Sequence, residues 1–240
     1  MVARGKLIAL EGIDGSGKRT QLDLLAGELA ERGIPVFRIS FPRYESFFGK
    51  VVGRYLNGEF GALEEVDPHF SALLYAGDRL EAKPEIEAAL SAGKIVLADR
   101  YIGSNMAHQS ARVPANQREE FLMWLKRLEY GLYSLPAEDL VIYLRVPVAE
   151  AHRLVALKST RAYTTLKRDI QEADIKHLEE TAIIYERLAT ESNWARIDCF
   201  NEASGVLNTP EEIHRALLRA VETRVLSQAS AGPASQAGRS

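Results

Sequence analysis

The stretch ALEGIDGSGKRTQLDLL, Ala9 to Leu25, constrains this chain more than any other. It begins in a short apolar run, Lys6 to Gly12, that reads as a buried parallel strand. A glycine-rich turn follows, and then Leu22, Leu25, Ala26 and Leu29 recur at helical spacing up to Gly33. Glycines let consecutive backbone N–H groups turn inward at the positive end of a helix, where they bind anions. Gly12-x-x-x-x-Gly17-Lys18 matches the phosphate-loop core in the strand–turn–helix context that core requires. The expected ATP site is therefore Gly12, Gly15, Ser16, Gly17, Lys18, Arg19 and Thr20, with Lys18 bridging the outer phosphates.

Arg19 departs from the pattern. A serine or threonine there would ligate Mg²⁺, and a guanidinium has no lone pair to offer. Thr20 is displaced by about 100° around the helix and is a poor substitute. The metal is expected to keep extra water ligands, with Asp14 and Asp99 the nearest carboxylates.

Four further strands can be read, in IPVFRISFP, KIVLADR, DLVIYLRV and WARIDC. Helices fall between them: KPEIEAALSAGK with Pro84 near its start, REEFLMWLKRLEYGLY, and a segment from about Ile170 to Ala189. TPEEIHRALLRAVETRVL opens on a capping box, Thr209 with Glu212. Alternating strands and helices predict a doubly wound α/β fold: a mostly parallel five-stranded sheet flanked by helices. Its ligands should lie beyond the carboxyl ends of the strands. GIDGSGKRT, FPRY and DRYIGSN all follow strand ends.

With 240 residues the chain has room for a single domain, read as 1–227, followed by a disordered tail at 228–240. A net charge of -3 gives no electrostatic reason to expect nucleic acid, and one cysteine, Cys199, excludes a disulfide framework or cysteine-rich zinc site. No apolar run is long enough for a signal peptide core or a membrane span, so a cytoplasmic, soluble protein is expected.

In the second phosphate-handling stretch, Asp99 ends a strand where it could hold a metal's water shell, and Arg100 could grip an acceptor phosphate with two bonds. The alternative is structural: Asp99 caps the next helix and Arg100 pairs with it.

EGIDGSGKRTQ, FPRY (Phe41 to Tyr44), LYAGDR (Leu74 to Arg79), DRYIGSNMAHQ (Asp99 to Gln109) and the late RDIQEADIKHLEETAIIYERL together resemble the thymidylate kinase family of nucleoside monophosphate kinases. The resemblance runs from about residue 5 to residue 200 and is to bacterial-type members, among which GKRT as well as GKST occurs. It implies the nucleoside monophosphate kinase form of the P-loop fold. It places Asp14 between donor and acceptor, Tyr75 flat on thymine, and Arg79 at the base's carbonyl edge. Phe41, Arg43 and Tyr44 would line the acceptor pocket and Arg100 would hold the acceptor phosphate. Ser104 and Asn105 would meet the base, and His108 would stand near the sugar, where an aromatic is usual. Ordinary core packing is the competing reading of Tyr75 and Phe41.

Members with a glycine at the position of Gly15 supply catalytic cations from a mobile lid. The matching segment is near 152–169, with Arg153, Lys158, Arg161, Lys167 and Arg168; Arg161 and then Arg168 are the expected catalytic cations. A solvated charged face is the bland alternative for each. The resemblance further implies ATP and dTMP as substrates, Mg²⁺ as cofactor and a homodimer. The helix carrying Phe121 to Leu132 could form the dimer face or be core. Two rivals stand beside dTMP phosphorylation: a kinase for another nucleotide or deoxynucleoside, and a phosphate-loop switch protein.

Overall fold

The computed structural model describes residues 4–156 and 175–227. Five parallel strands form the central sheet: β1 (Lys6–Glu11), β2 (Val36–Ser40), β3 (Ile95–Asp99), β4 (Leu140–Arg145) and β5 (Trp194–Asp198), in the order β2-β3-β1-β4-β5. β1 is buried along its length except at Lys6, as a central strand covered on both faces must be. A short antiparallel pair, β6 (Phe200–Asn201) and β7 (Val206–Leu207), follows β5.

The helices are α1 (Lys18–Glu31), α2 (Phe47–Leu56), α3 (Pro68–Ser91), α4 (Ile102–Ser110), α5 (Arg118–Lys126), α6 (Val148–Ala156), α7 (Ile175–Leu188) and α8 (Pro210–Val221). The chain leaves β1, crosses outward to β2, returns to β3, and then passes β1 to reach β4. That reversal puts the switch point at the carboxyl end of β1, where such sheets bind ligands.

Register carries the placement further. Leu10 lies opposite Asp99, which in turn lies opposite Ser40. The segments that follow, with Gly12, Arg100 and Phe41, therefore emerge side by side. Arg100 N donates to Leu10 O at 3.0 Å and Phe41 N to Asp99 O at 3.0 Å, stitching the three exits together.

The expected short helix near Pro84 is instead the second half of α3, and Pro84 lies inside it. The true start is set upstream by Asp67, whose carboxylate accepts from His69 N at 2.7 Å, with Pro68 in the first turn. Pro84 removes one helical hydrogen bond, but Ala82, Ile86, Ala89 and Leu90 are buried on either side of it, and that packing holds the helix together. α5 passes directly into a π-helical segment, Arg127–Leu132. Phe121, Leu125 and Leu128 along this stretch are buried and serve the protein's own core, while Met123 and Leu132 are exposed. The helix expected over 170–189 is seen as α7 from Ile175; its first residues, like the 228–240 tail, lie outside the described residues.

The capping box of α8 is present in both directions: Thr209 Oγ1 accepts from Glu212 N at 3.2 Å and Glu212 Oε2 accepts from Thr209 N at 2.8 Å. α8 is tied to α1 by Gln21 Nε2, which donates to Pro210 O at 2.9 Å. Thr209→Ala should cost about 1 kcal/mol, the usual loss for such a cap. For a chain of this size that is roughly 2–4 °C in Tm by calorimetry. An unchanged Tm would mean the box contributes nothing.

Candidate functional site

The loop after β1 is shaped by backbone that only glycine adopts readily: φ is +89° at Gly15 and +86° at Gly17. A Cβ on Gly15 would lie 2.3 Å from Ala151 O, so glycine also lets α6 approach the loop. Gly17 caps α1 without a side-chain hydrogen bond, leaving that role at the helix start to something other than a side chain. Lys18 is buried, and its ammonium donates to Gly12 O at 2.8 Å, Ile13 O at 3.0 Å and Ser16 Oγ at 3.4 Å. Burial and the neighbouring Arg100 cation lower its pKa to about 8, against the pull of Asp14, Asp99 and Glu11. Arg19 and Thr20 are both exposed.

Arg100 has a φ of +64°, a strained value for a non-glycine residue that costs on the order of 1–3 kcal/mol. It is over-determined on both sides: its own N–H is held by Leu10 O, and Tyr101 N donates to Glu11 Oε1 at 2.8 Å. The guanidinium then reaches Asp14 Oδ1 at 2.9 Å, Ser104 Oγ at 2.9 Å, Gly12 O at 3.2 Å and His108 Nε2 at 3.3 Å. Arg100 thus pairs with Asp14 in the loop rather than with its neighbour Asp99. Burial is the largest single influence and opposes its charge, but Asp14, Tyr185, Glu11 and Asp99 together outweigh it and hold the pKa well above the ordinary value.

Three buried carboxylates, none of them anticipated in the sequence reading, fix the surrounding segments. Glu11 accepts from Tyr101 N, from Ser104 Oγ at 2.6 Å and from the Tyr185 hydroxyl at 2.9 Å. Asp78 holds the FPRY loop, accepting from Arg43 N at 2.8 Å, Arg43 Nε at 3.2 Å and Ser46 Oγ at 2.8 Å. Glu129, in the π-helical segment, takes Arg79 Nε at 2.5 Å and Nη2 at 2.7 Å, and Asn105 Nδ2 at 2.8 Å. Their partners are far away in sequence; only Glu11 has a local cue, as a charge ending an apolar strand.

Arg79, expected at a base edge, is therefore a buried partner of Glu129: its side chain is 2% exposed. Its long-range partner could not be seen from LYAGDR alone. Asn105 shares that carboxylate and also donates to Ala72 O at 3.1 Å. Both partners only accept, so the amide orientation is fixed and Oδ1 is buried without a hydrogen bond. Tyr75 stands half-buried one helical turn from Ala72 and meets Tyr55 edge-on, with centroids 6.3 Å apart. Phe41 is buried in the main core against Tyr101, and Tyr44 packs on the smaller cluster around Val52 and Tyr55. Arg43 also pairs with Glu85 at 2.9 Å.

His108 is buried. Desolvation, then Arg100 and His177, push its pKa well below the usual histidine value, so it is neutral at pH 7. Of the expected lid, Arg153 lies on α6 and pairs with Glu150 at 2.9 Å. Lys158, Arg161, Lys167 and Arg168 lie outside the described residues. Among the described residues no group of three or more His, Cys, Asp or Glu is arranged to hold a metal ion. Asp99 is half-buried at the end of β3 and close enough to act on the charges of Lys18 and Arg100. No helix among the described residues is long and apolar enough to cross a membrane.

Comparison with known proteins adds an independent line. The family model described as thymidylate kinase matches residues 10–209. The thymidylate kinase of Mycobacterium tuberculosis (strain H37Rv lineage) is 32% identical over 186 residues, 77% of this chain and 86% of that one. The thymidylate kinase of Homo sapiens is 35% identical over 149 residues, 62% of this chain and 64% of that one. Among solved structures, the thymidylate kinase of Candida albicans is similar with a TM-score of 0.72 across 93% of both chains, at 22% identity, a likeness of fold.

Two outcomes test this site. Arg79→Leu leaves Glu129 buried without its counter-charge and should cost about 3–5 kcal/mol in urea unfolding. The double variant with Glu129→Leu should be more stable than Arg79→Leu alone; if it is less stable, the pair is not the reason Arg79 matters. For Lys18, the folded pKa of about 8 lies below the ordinary 10.5. Between those values the unfolded chain binds more protons, so Lys18 makes stability rise with pH across that window and contributes no slope below it. The wild type should gain on Lys18→Met as pH rises from 8 to 10, measured by denaturant unfolding at each pH.

Proposed function

The chain belongs to the thymidylate kinase family, and from that premise we propose how its residues move the γ-phosphate of ATP onto deoxythymidine monophosphate, giving the diphosphate on the route to dTTP. The observation that carries the reading is the meeting of two cations, Lys18 buried and Arg100 partly buried. Lys18 from the loop after β1 and Arg100 from the end of β3 share Gly12 O, and Asp14 bonds Arg100 beside them. One cation faces a donor's phosphates and the other an acceptor's, with the transferred group between them.

Phosphoryl transfer asks for alignment and charge rather than covalent help. Lys18 exchanges its loop carbonyls for the donor's outer phosphates, and the N–H groups of the loop and of the α1 start hold the rest. Arg100, steadied by Asp14 and Ser104, orients the acceptor phosphate, whose oxygen is the nucleophile. That oxygen is already anionic, so no strong general base is required. Mg²⁺, when bound, supplies charge neutralisation at the donor phosphates. Asp99 and Asp14 suit an ion that keeps its water, since Arg19 offers no ligand and Glu11 is committed to three donors.

At the base, Asn105 presents a fixed acceptor, Oδ1, which complements the N3–H of thymine and opposes the lone pair at N3 of cytosine. Tyr75 provides a flat face for stacking. Arg79 acts through Glu129 to hold Asn105. Phe41, Arg43 and Tyr44 shape the acceptor side, and His108 stands near the sugar.

The finer placement belongs to the same proposal. The chain is a bacterial-type member, one domain over 1–227, with Gly15 in its loop and Arg161 and Arg168 supplying cations from the segment near 152–169. It is a cytoplasmic homodimer that works without nucleic acid. Phe47, Phe70, Leu73 and Leu80 leave apolar surface on α2 and α3 for a second copy.

A panel of monophosphates with ATP and Mg²⁺ tests the substrate. kcat/KM for dTMP should exceed that for dCMP by at least about a hundredfold, as expected when a buried acceptor would be left facing a lone pair. Asn105→Leu should raise the KM for dTMP and narrow that gap. Turnover of uridylate or guanylate well above thymidylate would overturn the assignment.

A further inference from the structure

His108 and His177 form a buried imidazole pair that the reaction itself does not use. They are 5% and 4% exposed, on α4 and α7, with His108 Nδ1 3.4 Å from His177 Nε2. The other nitrogen of His108, Nε2, lies 3.3 Å from Arg100 Nη1.

Proton inventory leaves a single arrangement. A guanidinium has donors only, so His108 Nε2 must accept. Its proton is then on Nδ1, which donates to His177 Nε2, and His177 carries its own proton on Nδ1. Among the described residues, the charged groups acting on His108 include Arg100, Asp14 and Lys18, and the Tyr185 ring is 6.1 Å from it. α7 is fixed close by: Tyr185, two turns beyond His177, bonds Glu11 and stands 3.1 Å from Ser104 Oγ. Thr181 Oγ1 donates to His177 O at 2.7 Å, holding that first turn.

We propose that His177 is a positioning residue for the transfer: by accepting from His108 Nδ1 it fixes the His108 tautomer that accepts from Arg100, and so sets the direction of the Arg100 guanidinium between Asp14 and the acceptor phosphate. Without an acceptor at position 177, the Nδ1–H form of His108 loses its reason to prevail. The alternative tautomer turns an N–H against the Arg100 N–H, and the guanidinium must move away. The inference rests on the reading of Arg100 as the acceptor-phosphate residue.

The test compares His177→Leu with His177→Gln in the full-length enzyme. Leucine fills the space and accepts nothing, whereas glutamine offers an oxygen near the position of Nε2. His177→Leu should raise the KM for dTMP roughly three- to tenfold, the scale of one lost hydrogen bond, with the KM for ATP little changed. His177→Gln should restore the dTMP value at pH 7.5. Two-bond ¹⁵N–¹H spectra should show His108 as the Nδ1–H tautomer in the wild type and in His177→Gln, and not in His177→Leu.

A dTMP KM in His177→Leu equal to the wild type, or impairment in His177→Gln as deep as in His177→Leu, would overturn the proposal. The spectra need no turnover. If His108 shows the expected tautomers while the dTMP assignment fails, the fault lies with the substrate reading and the imidazole pair stands.

Discussion

The pairing of Leu10 with Asp99 across two parallel strands decides where everything else can be. A sheet register is discrete: a slip of one residue would turn each side chain to the other face. With Leu10 opposite Asp99, the glycine loop and the Asp99–Arg100 segment leave the sheet as neighbours, and the Arg100 N–H continues the ladder to Leu10 O. Only after that bond does the backbone turn into the left-handed region. The strain at Arg100 is therefore local, held by a hydrogen bond before it and one after it. It aims a long cationic side chain back over Gly12, which a regular extension of β3 would have sent elsewhere.

Around that junction the protein uses buried carboxylates as anchors. Isolated, each would be expensive to bury; satisfied by several donors, each becomes a rigid node. Glu11 joins β1 to α4 and α7, Asp78 joins α3 to the FPRY loop, and Glu129 joins the π-helical segment to α3 and α4. None of the three is presented as a reacting group. Each fixes a neighbour that the proposed reading turns toward substrate: Ser104 beside Arg100, the start of the FPRY loop, and the amide of Asn105. A buried ion pair such as Arg79–Glu129 is weak evidence for stability, because desolvation offsets attraction. Its evident effect is orientation: with Nδ2 held by Glu129 and Ala72, Asn105 Oδ1 is the one amide atom left without a partner.

What could be read in the sequence follows from how local each signal is. The phosphate loop, the strand ends, the stripe of α1 and the capping box of Thr209 depend on residues within a few positions of one another, and each reappears in the structure. The extent of α3 did not, because Pro84 is a strong local stop that burial of Ala82 and Ile86 overrides. Arg79 was legible as important, but its partner Glu129 was not, since it stands 50 residues away. Glu11 and Asp78 sat inside quoted motifs, yet their function depends on donors arriving from other elements. His177 gave no signal at all beyond a histidine at the start of a helix. Its meaning appears only when α7 is laid against α4.

Arg19 leaves the loop without a hydroxyl where the phosphate-loop pattern has one. A hydroxyl there would matter if the loop depended on the metal for its charge balance. Instead the buried Lys18 and the partly buried Arg100 are set against Asp14, Asp99 and Glu11, and the ammonium of Lys18 is already satisfied by loop carbonyls. Its proton is held less firmly than usual because it is desolvated and next to Arg100. Donor phosphates seated there would leave the desolvation in place but replace neutral carbonyls with anions, whose charge outweighs the neighbouring cation. The proton on Lys18 is thereby bound more tightly in the loaded site than in the free one, so nucleotide binding and lysine protonation favour each other. On the proposed reading, such a loop draws its affinity from Lys18 and the backbone nest. Position 19, exposed on the outer side of α1, is left free of that task.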